Sequence, residues 1–345
     1  MPDGSGFRKH TTCYKGSFPM ATLKQLAEMT GLSMNTVSRV IRNEGYISEK
    51  TRKLVRDAVR ATGYHPHKAA QKLRKSSPGE IAILLDGEDL LYQEKLAGIR
   101  EEAHTAGLET RIHILNGEHP AGTLPVLLRE ILLQDPSGII FISRNPAVVA
   151  KTASLRKKLP CIYIAGDPPP GTDCVFADYT KGVADTVQEL YRKGKRRIAC
   201  CDSHCPLLTK NGYLQAVSAL KLPRILIRGN LKNPVLMRNG GFLNGKMFST
   251  MKTIPDAVLA PEGMIAGLLA GFAAAGITVP DQVALVSFEN TLISAMLHPA
   301  VSALAQPNFE MGSNAVRLLL KRLKDPQGDP LAIRLPTALL KRQST

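Results

Sequence analysis

No stretch of this sequence approaches the roughly 18 consecutive apolar residues that a membrane-spanning helix requires. Its first residues contain no apolar h-region of the kind that directs export, so a cytoplasmic location without a membrane partner is expected. A Ser-His-Asp set, a Walker loop and a Gly-x-Gly-x-x-Gly fingerprint are also missing, which argues against an enzyme and against a bound cofactor. The cysteines (Cys13, Cys161, Cys174, Cys200, Cys201, Cys205) are too few and too scattered for a disulfide framework in a chain of 345 residues. Cys200, Cys201, His204 and Cys205 lie close together, but Cys200 and Cys201 end an apolar run, Ile198–Cys201, that reads as a buried strand. Neighbouring strand residues point to opposite faces, and a second ligand pair at zinc spacing is absent, so no metal is expected.

What the sequence does have is positive charge in one place. The net charge is +16, and Ala21–Lys75 carries 12 Lys/Arg against 4 Asp/Glu, or +8. Half the excess in about a sixth of the chain is the electrostatic footprint of a polyanionic ligand with a phosphate backbone. The rest, 44% hydrophobic and 21% charged overall, is the composition of a globular chain with room for more than one domain.

The basic stretch has local structure written into it. Thr22 followed by Gln25 forms a capping box, and Leu23, Leu26 and Ala27 recur on one helical face. Gly31 can take the left-handed conformation that stops a helix, and Ser33 can cap the next one. That second helix buries Val37, Val40 and Ile41 and shows Met34, Asn35, Ser38 and Arg39 on its other side. Two short helices joined by a glycine-containing turn are a helix-turn-helix, whose second helix fits the DNA major groove. Ser48 caps a third helix, in which Leu54, Val55, Ala58 and Val59 are expected to close a three-helix core before Gly63 ends it. A basic segment follows, Tyr64-His65-Pro66-His67-Lys68-Ala69-Ala70-Gln71-Lys72-Leu73-Arg74-Lys75.

Together these residues resemble the headpiece and hinge of the lac repressor (LacI/GalR) family of transcription regulators. The resemblance implies a helix-turn-helix headpiece over 20–65, a hinge helix over 66–78 and a two-lobed core over 79–345, with 1–19 a disordered extension. Met20-Ala21-Thr22 resembles a family start. Short hydroxyl side chains at Thr22, Ser33, Thr36 and Ser38 suit phosphate oxygens, which position a protein on DNA without reading its sequence. Asn35 can read adenine bidentately, Met34 can pack on a thymine methyl, and Arg39 can reach a guanine edge or a phosphate. The implied DNA-facing set also takes in Arg42, Tyr46 and Ser48. In the family, paired hinge helices of a dimer insert leucines into the central minor groove of the operator. Leu73 is the matching wedge, beside Ala70 and Arg74, although His67 stands where family members commonly have Asn.

Beyond Pro78-Gly79, short apolar runs alternate with helical patterns. The first series is Ile81–Leu85, Leu91–Ala106, Arg111–Leu115, Gly138–Ile142, Ala147–Leu159 and Cys161–Ile164. The second is Tyr179–Arg192, Arg197–Cys201, Leu207–Leu220, Arg224–Ile227, Asp256–Ala260, Glu262–Ala275 and Val283–Ser287. Alternation of this kind predicts parallel sheets covered by helices on both faces, and two series predict two Rossmann-like lobes with a ligand cleft at the carboxyl ends of the strands. Gly212-Tyr213, Gly276-Ile277-Thr278-Val279-Pro280, Pro299, Gln306-Pro307, Met311-Gly312 and Arg342-Gln343-Ser344-Thr345 sit as in the family. The resemblance therefore implies a periplasmic-binding-protein-like core whose chain crosses between lobes three times, expected near Ala165–Tyr179, Ser287–Ala295 and Ala305–Asn308. A C-terminal leucine heptad is not seen, so a homodimer is expected rather than a tetramer built on such a tail.

At the ligand end the sequence departs from the family. Ala165 stands where an Asp is usual, and Thr209 where an Arg is usual, which removes a bidentate fork. Pro261-Glu262 replaces Asn-Asp, and Ser287-Phe288-Glu289 replaces Gly-aromatic-Asp. The cleft is expected to take a changed effector, a sugar or related metabolite, at Asp86, Ala165, Thr209, Lys210, Glu262 and Glu289. The expected function is a dimeric repressor on a palindromic double-stranded operator. Its alternatives are a solute receptor of the periplasmic type and a regulator that has lost its effector response.

Overall fold

A computed structural model describes residues 23–41, 47–62, 79–87, 90–115, 120–143, 146–167, 170–201, 206–228 and 234–345. The chain divides into two compact units, Met1–Ser76 and Ser77–Thr345.

In the first unit, α1 (Leu23–Thr30), α2 (Met34–Ile41) and α3 (Glu49–Thr62) enclose a small core of Leu26, Ala27, Val37, Val40 and Val55. Leu32, Ile41, Ile47, Ala58 and Val59 pack around it. Gly31 sits at φ 64° and lets Leu32 N–H return to the Ala27 carbonyl at 3.2 Å, which closes α1 and starts the turn. The expected stripe on α3 is shifted: Leu54 is 48% exposed, and Val55 is the residue that plugs the core. Val55, Ala58, Val59 and Thr62 follow the helical period without Leu54, which lies at the edge of that face.

The second unit holds two six-stranded sheets. The first lobe runs β1 (Gly79–Leu85), α4 (Leu91–Thr105), β2 (Leu108–Ile114), α5 (Pro120–Leu133), β3 (Gly138–Ser143), α6 (Pro146–Thr152), β4 (Cys161–Ala165) and β5 (Asp173–Asp178). The second runs α7 (Tyr179–Arg192), β6 (Ile198–Cys201), α8 (Pro206–Ala219), β7 (Ile225–Ile227), α9 (Pro234–Met247), β8 (Ala257–Ala260), α10 (Glu262–Ala274), β9 (Ala284–Ser287), α11 (Leu292–Met296) and β10 (Ser302–Ala305). Then α12 (Asn308–Lys324) and β11 (Ala332–Pro336) return to the first lobe, and β12 (Ala338–Leu340) ends in the second. Strand order is β11-β5-β4-β3-β1-β2 in one sheet and β12-β10-β9-β8-β6-β7 in the other. Every pairing is parallel except β10 with β12.

Strand alternation places the core. Ile81, Ile83 and Leu85 of β1 face one apolar layer while Ala82 and Leu84 face another, packed by Leu124, Leu128 and Ile131 of α5. Cys200 and Cys201 likewise part company, Cys200 joining the layer under α7 and α8 and Cys201 the layer under α9 and α10. Both are buried.

Two expectations are corrected here. Ser287–Ala295 is not a crossing, because β9 and β10 on either side pair in the same sheet, with Ser302 opposite Val286. The other two expected crossings are found, after β5 at Asp178–Tyr179 and between β10 and α12, and the third falls at Thr337 between β11 and β12. The single helix expected over Ala147–Leu159 is broken at Thr152, whose fully buried hydroxyl bonds the Val148 and Val149 carbonyls and Tyr163 Oη. A 3-10 turn, Ala153–Lys157, follows it.

Candidate functional site: a nucleic-acid interface and an inter-lobe cleft

The headpiece presents its polar side by anchoring its apolar one. Val37 and Val40 are buried, and this leaves Met34, Asn35 and Arg39 exposed with Ser38 partly so. Ser33 fixes the start of α2: its Oγ accepts the Thr36 N–H at 3.1 Å and lies 2.9 Å from Thr36 Oγ1, while its carbonyl accepts Val37 N–H at 3.0 Å. Ser48 does the same for α3, with Thr51 N–H at 3.3 Å and Thr51 Oγ1 at 2.8 Å. Both hydroxyls therefore sit at helix N-termini, where the backbone dipole and free N–H groups favour an anion. Around them α3 exposes Lys50, Lys53, Arg56 and Arg60. The Arg56–Glu49 pair, 3.3 Å apart, is too exposed to neutralise that face. Of the DNA-facing set, Ser33, Met34, Asn35, Thr36, Ser38, Arg39 and Ser48 lie on this surface; Thr22, Arg42, Tyr46, Ala70, Leu73 and Arg74 fall outside the described residues.

The second site is a cavity at the carboxyl ends of the strands, between the lobes. It is lined by Tyr92, Lys95, Ser143, Ala165, Tyr179, Glu289, Gln306 and Met311, among others. Three charges organise it. Asp86, at the end of β1, accepts Tyr92 Oη at 2.5 Å and Ser143 Oγ at 2.8 Å. Glu289, just past β9 and 6% exposed, accepts the Glu262 N–H at 2.8 Å and so caps α10, whose preceding Pro261 has no side chain able to do so. Lys95, on the buried face of α4 and 5% exposed, donates to the Leu91 carbonyl at 3.2 Å and to Asn308 Oδ1. Tyr179 spans the lobes by donating to the Phe288 carbonyl at 2.9 Å.

Of the effector residues expected from sequence, Ala165 and Glu289 line the cavity and Asp86 is bonded to two residues that do. Glu262 is turned toward the next turn, accepting Thr291 N–H at 3.1 Å and Ser294 Oγ. Thr209 is buried in α8 and Lys210 is exposed; neither lines the cavity. Sequence reasoning missed Tyr92, Lys95, Tyr179 and Asn308. Lys95 had left a signal, since it falls in register with Leu91, Tyr92, Leu96 and Ile99, all buried on one face of α4.

Residues 22–67 match the family described as bacterial regulatory proteins, lacI family, and residues 187–345 match the periplasmic binding protein-like domain. The catabolite control protein A of Priestia megaterium is 25% identical over 341 residues, covering 94% of this chain and 99% of its own. This chain belongs to the lacI family of bacterial regulatory proteins. It is a DNA-binding transcription regulator, with a helix-turn-helix headpiece and a two-lobed parallel α/β core. Its fold is shared with the lac repressor dimer bound to operator and the anti-inducer ONPF (TM-score 0.66, 22% identity, 94% of this chain and 99% of that one). The transcriptional regulator CelR in complex with cellobiose is equally similar (TM-score 0.65, 22% identity, 94% and 100%). The family segment 22–67 holds the capped helices of the headpiece. No helix among the described residues is long and apolar enough to cross a membrane.

Proposed function

We propose that this regulator represses transcription by binding a palindromic operator as a homodimer, with a small molecule in the inter-lobe cleft setting its affinity. It acts in the cytoplasm, at the nucleoid, by binding alone and without catalysis. The observation that carries the reading is α2: its buried Val37 and Val40 hold Met34 and Asn35 outward in the first turn, and Arg39 in the last, of a helix sized for the major groove. Ser33, Thr36, Ser38 and Ser48 take phosphates beside it, Thr22, Arg42 and Tyr46 complete the headpiece contacts, and Ala70, Leu73 and Arg74 enter the minor groove. A relative solved with operator and another solved with cellobiose support DNA and a sugar-class effector as ligands.

The test is selection of a preferred site from random duplexes, followed by a salt titration on it. The expected site is a palindrome, and affinity is expected to fall about a thousandfold between about 50 and 200 mM salt, as for a protein making several phosphate contacts. A flat salt response, or no preferred site, would sink the reading.

A further inference from the structure

Asp167 belongs to the first lobe and holds on to the second. It follows Gly166, which lines the cavity after β4, and it lies on none of the three crossings. Its carboxylate accepts Leu207 N–H at 3.3 Å through Oδ2 and Leu208 N–H at 3.1 Å through Oδ1. Those amides are in the first turn of α8, the helix that follows β6 in the second lobe. A negative side chain of one lobe thus sits on the positive end of a helix dipole in the other, and satisfies two donors that the helix leaves free. Leu208 adds an apolar half to the contact. It packs against the first-lobe layer that holds Cys174 and Phe176, and against the layer under α7 and α8.

Each side of this contact is fixed to its own lobe. In the second, Thr180 Oγ1 donates to the Leu208 carbonyl at 3.3 Å. A methyl on Gly212 would lie 2.3 Å from the Thr180 carbonyl oxygen, so the start of α8 is seated on the start of α7. In the first lobe, Arg156 donates to the Gly171 carbonyl, which ties the stretch after β4 to the 3-10 turn before it. Parting the lobes therefore breaks the Asp167 bonds. The resemblance puts an Asp at Ala165, whereas here a carboxylate stands two residues on and is engaged by the chain itself.

We propose that Asp167 is a latch that holds the two lobes closed by bonds within the chain, and that operator affinity depends on whether it is made. The proposal rests on the reading that the core governs DNA binding. The closed cavity leaves about 30 Å³, room for one or two waters, so a small molecule enters only as the lobes part. The latch sets how readily they do so.

Hydrogen exchange and operator binding by the full-length protein test this in Asp167→Ala and Asp167→Asn. Alanine removes both acceptors, whereas asparagine keeps one oxygen and is itself a favoured helix cap. The reporting amides are Asp86 and Phe288, which bond the Ile142 and Ala260 carbonyls on the two sides of the cleft. In Asp167→Ala they are expected to exchange about tenfold faster or more, the value of a lost hydrogen bond to a charged group. Operator affinity is expected to change by about fivefold or more, and its sign tells whether the closed core is the DNA-binding form. Asp167→Asn is expected to restore most of both. Faster exchange confined to the first turn of α8 would mean that Asp167 only caps that helix, and overturns the proposal. An operator affinity unchanged in Asp167→Ala overturns it too. Failure of the unmodified protein to bind any operator overturns the reading beneath it, and is told apart because exchange at the cleft is measured without DNA.

Discussion

His113 lies on β2, and its Nε2 is buried with no hydrogen-bond partner among the described residues. Burial first, and the nearby Arg111 guanidinium second, hold its pKa below the ordinary 6.5, with Glu80 and Glu130 pulling the other way. The unfolded chain therefore binds a proton at pH values where the folded chain does not. Stability is present above about pH 6.5 and is lost as pH falls from there toward the lowered folded value. His113→Leu removes that proton uptake. The drop in Tm between about pH 7.5 and about pH 5.5 is expected to be smaller in the variant than in the parent protein, and an unchanged drop would show that other groups carry it. A residue of this kind is hard to read from sequence. In Leu108–Ile114 the histidine alternates correctly for a strand, but nothing in the pattern tells that its Nε2 is buried. Leu54 is the converse case: the apolar residue is visible, but a helical stripe has edges, and only packing decides which side of the edge it takes.

At the scale of elements, the contact between α4 and α12 is made by glycine. Gly98 and Gly312 let two backbones meet, and Ser313 Oγ donates across the contact to the Gly98 carbonyl at 3.3 Å. Gly98→Ala puts a methyl into the Phe309 carbonyl, which the helices can relieve only by separating. The expected loss is about 2 kcal/mol or more, a fall in Tm of roughly 5 °C by thermal melting of the core. An unchanged Tm would mean the two helices adjust freely. Elements with a strong period were legible: α7 was expected over Tyr179–Arg192 and is found there, because its buried Val183, Val187 and Leu190 recur at helical spacing. Others were passed over. α9 interrupts its helical pattern with Gly240, Gly241 and Gly245, residues that read as loop in isolation. In the structure Gly241 and Gly245 pack on the backbone of α10, where a side chain would collide. β5 lies in the stretch Ala165–Tyr179 expected as a crossing, yet it is wholly apolar from Cys174 to Ala177 and pairs on both edges.

For the molecule as a whole, one ion pair gathers three separated parts of the first lobe. Arg322, near the end of α12, donates to Asp173 through Nε at 2.7 Å and Nη2 at 2.9 Å, and Asp173 also accepts the Leu331 N–H at 2.9 Å just before β11. Both side chains are nearly buried, at 11% and 10% exposure. Arg322 in addition donates to the Asp325, Gly328 and Asp329 carbonyls, so it shapes the turn that leads into the last strand of this sheet. Asp173→Ala leaves a buried guanidinium without its counter-charge, at an expected cost of about 3–5 kcal/mol and about 10 °C in Tm. A change within error would mean the carbonyls alone hold Arg322. The two-lobed plan was visible in the alternation of strands and helices, and the family resemblance placed two of the crossings; the one at Thr337 was missed, because a connection that changes lobe is no different in composition from one that does not.

That final segment has a consequence for how the chain is made. β11 completes the first sheet beside β5, and β12 completes the second beside β10. Farther on, Ser344 is sewn into the second lobe by bonds to Ala300, Ser302 and Leu285. A ribosome moving from the headpiece onward releases a capped DNA-facing unit early, while both lobes wait for strands that lie beyond residue 331. Any chain broken off before that point would carry a finished headpiece on an unfinished core, with an open strand edge in each sheet that invites aggregation. Synthesis thus delivers the part that finds DNA before the part that governs it.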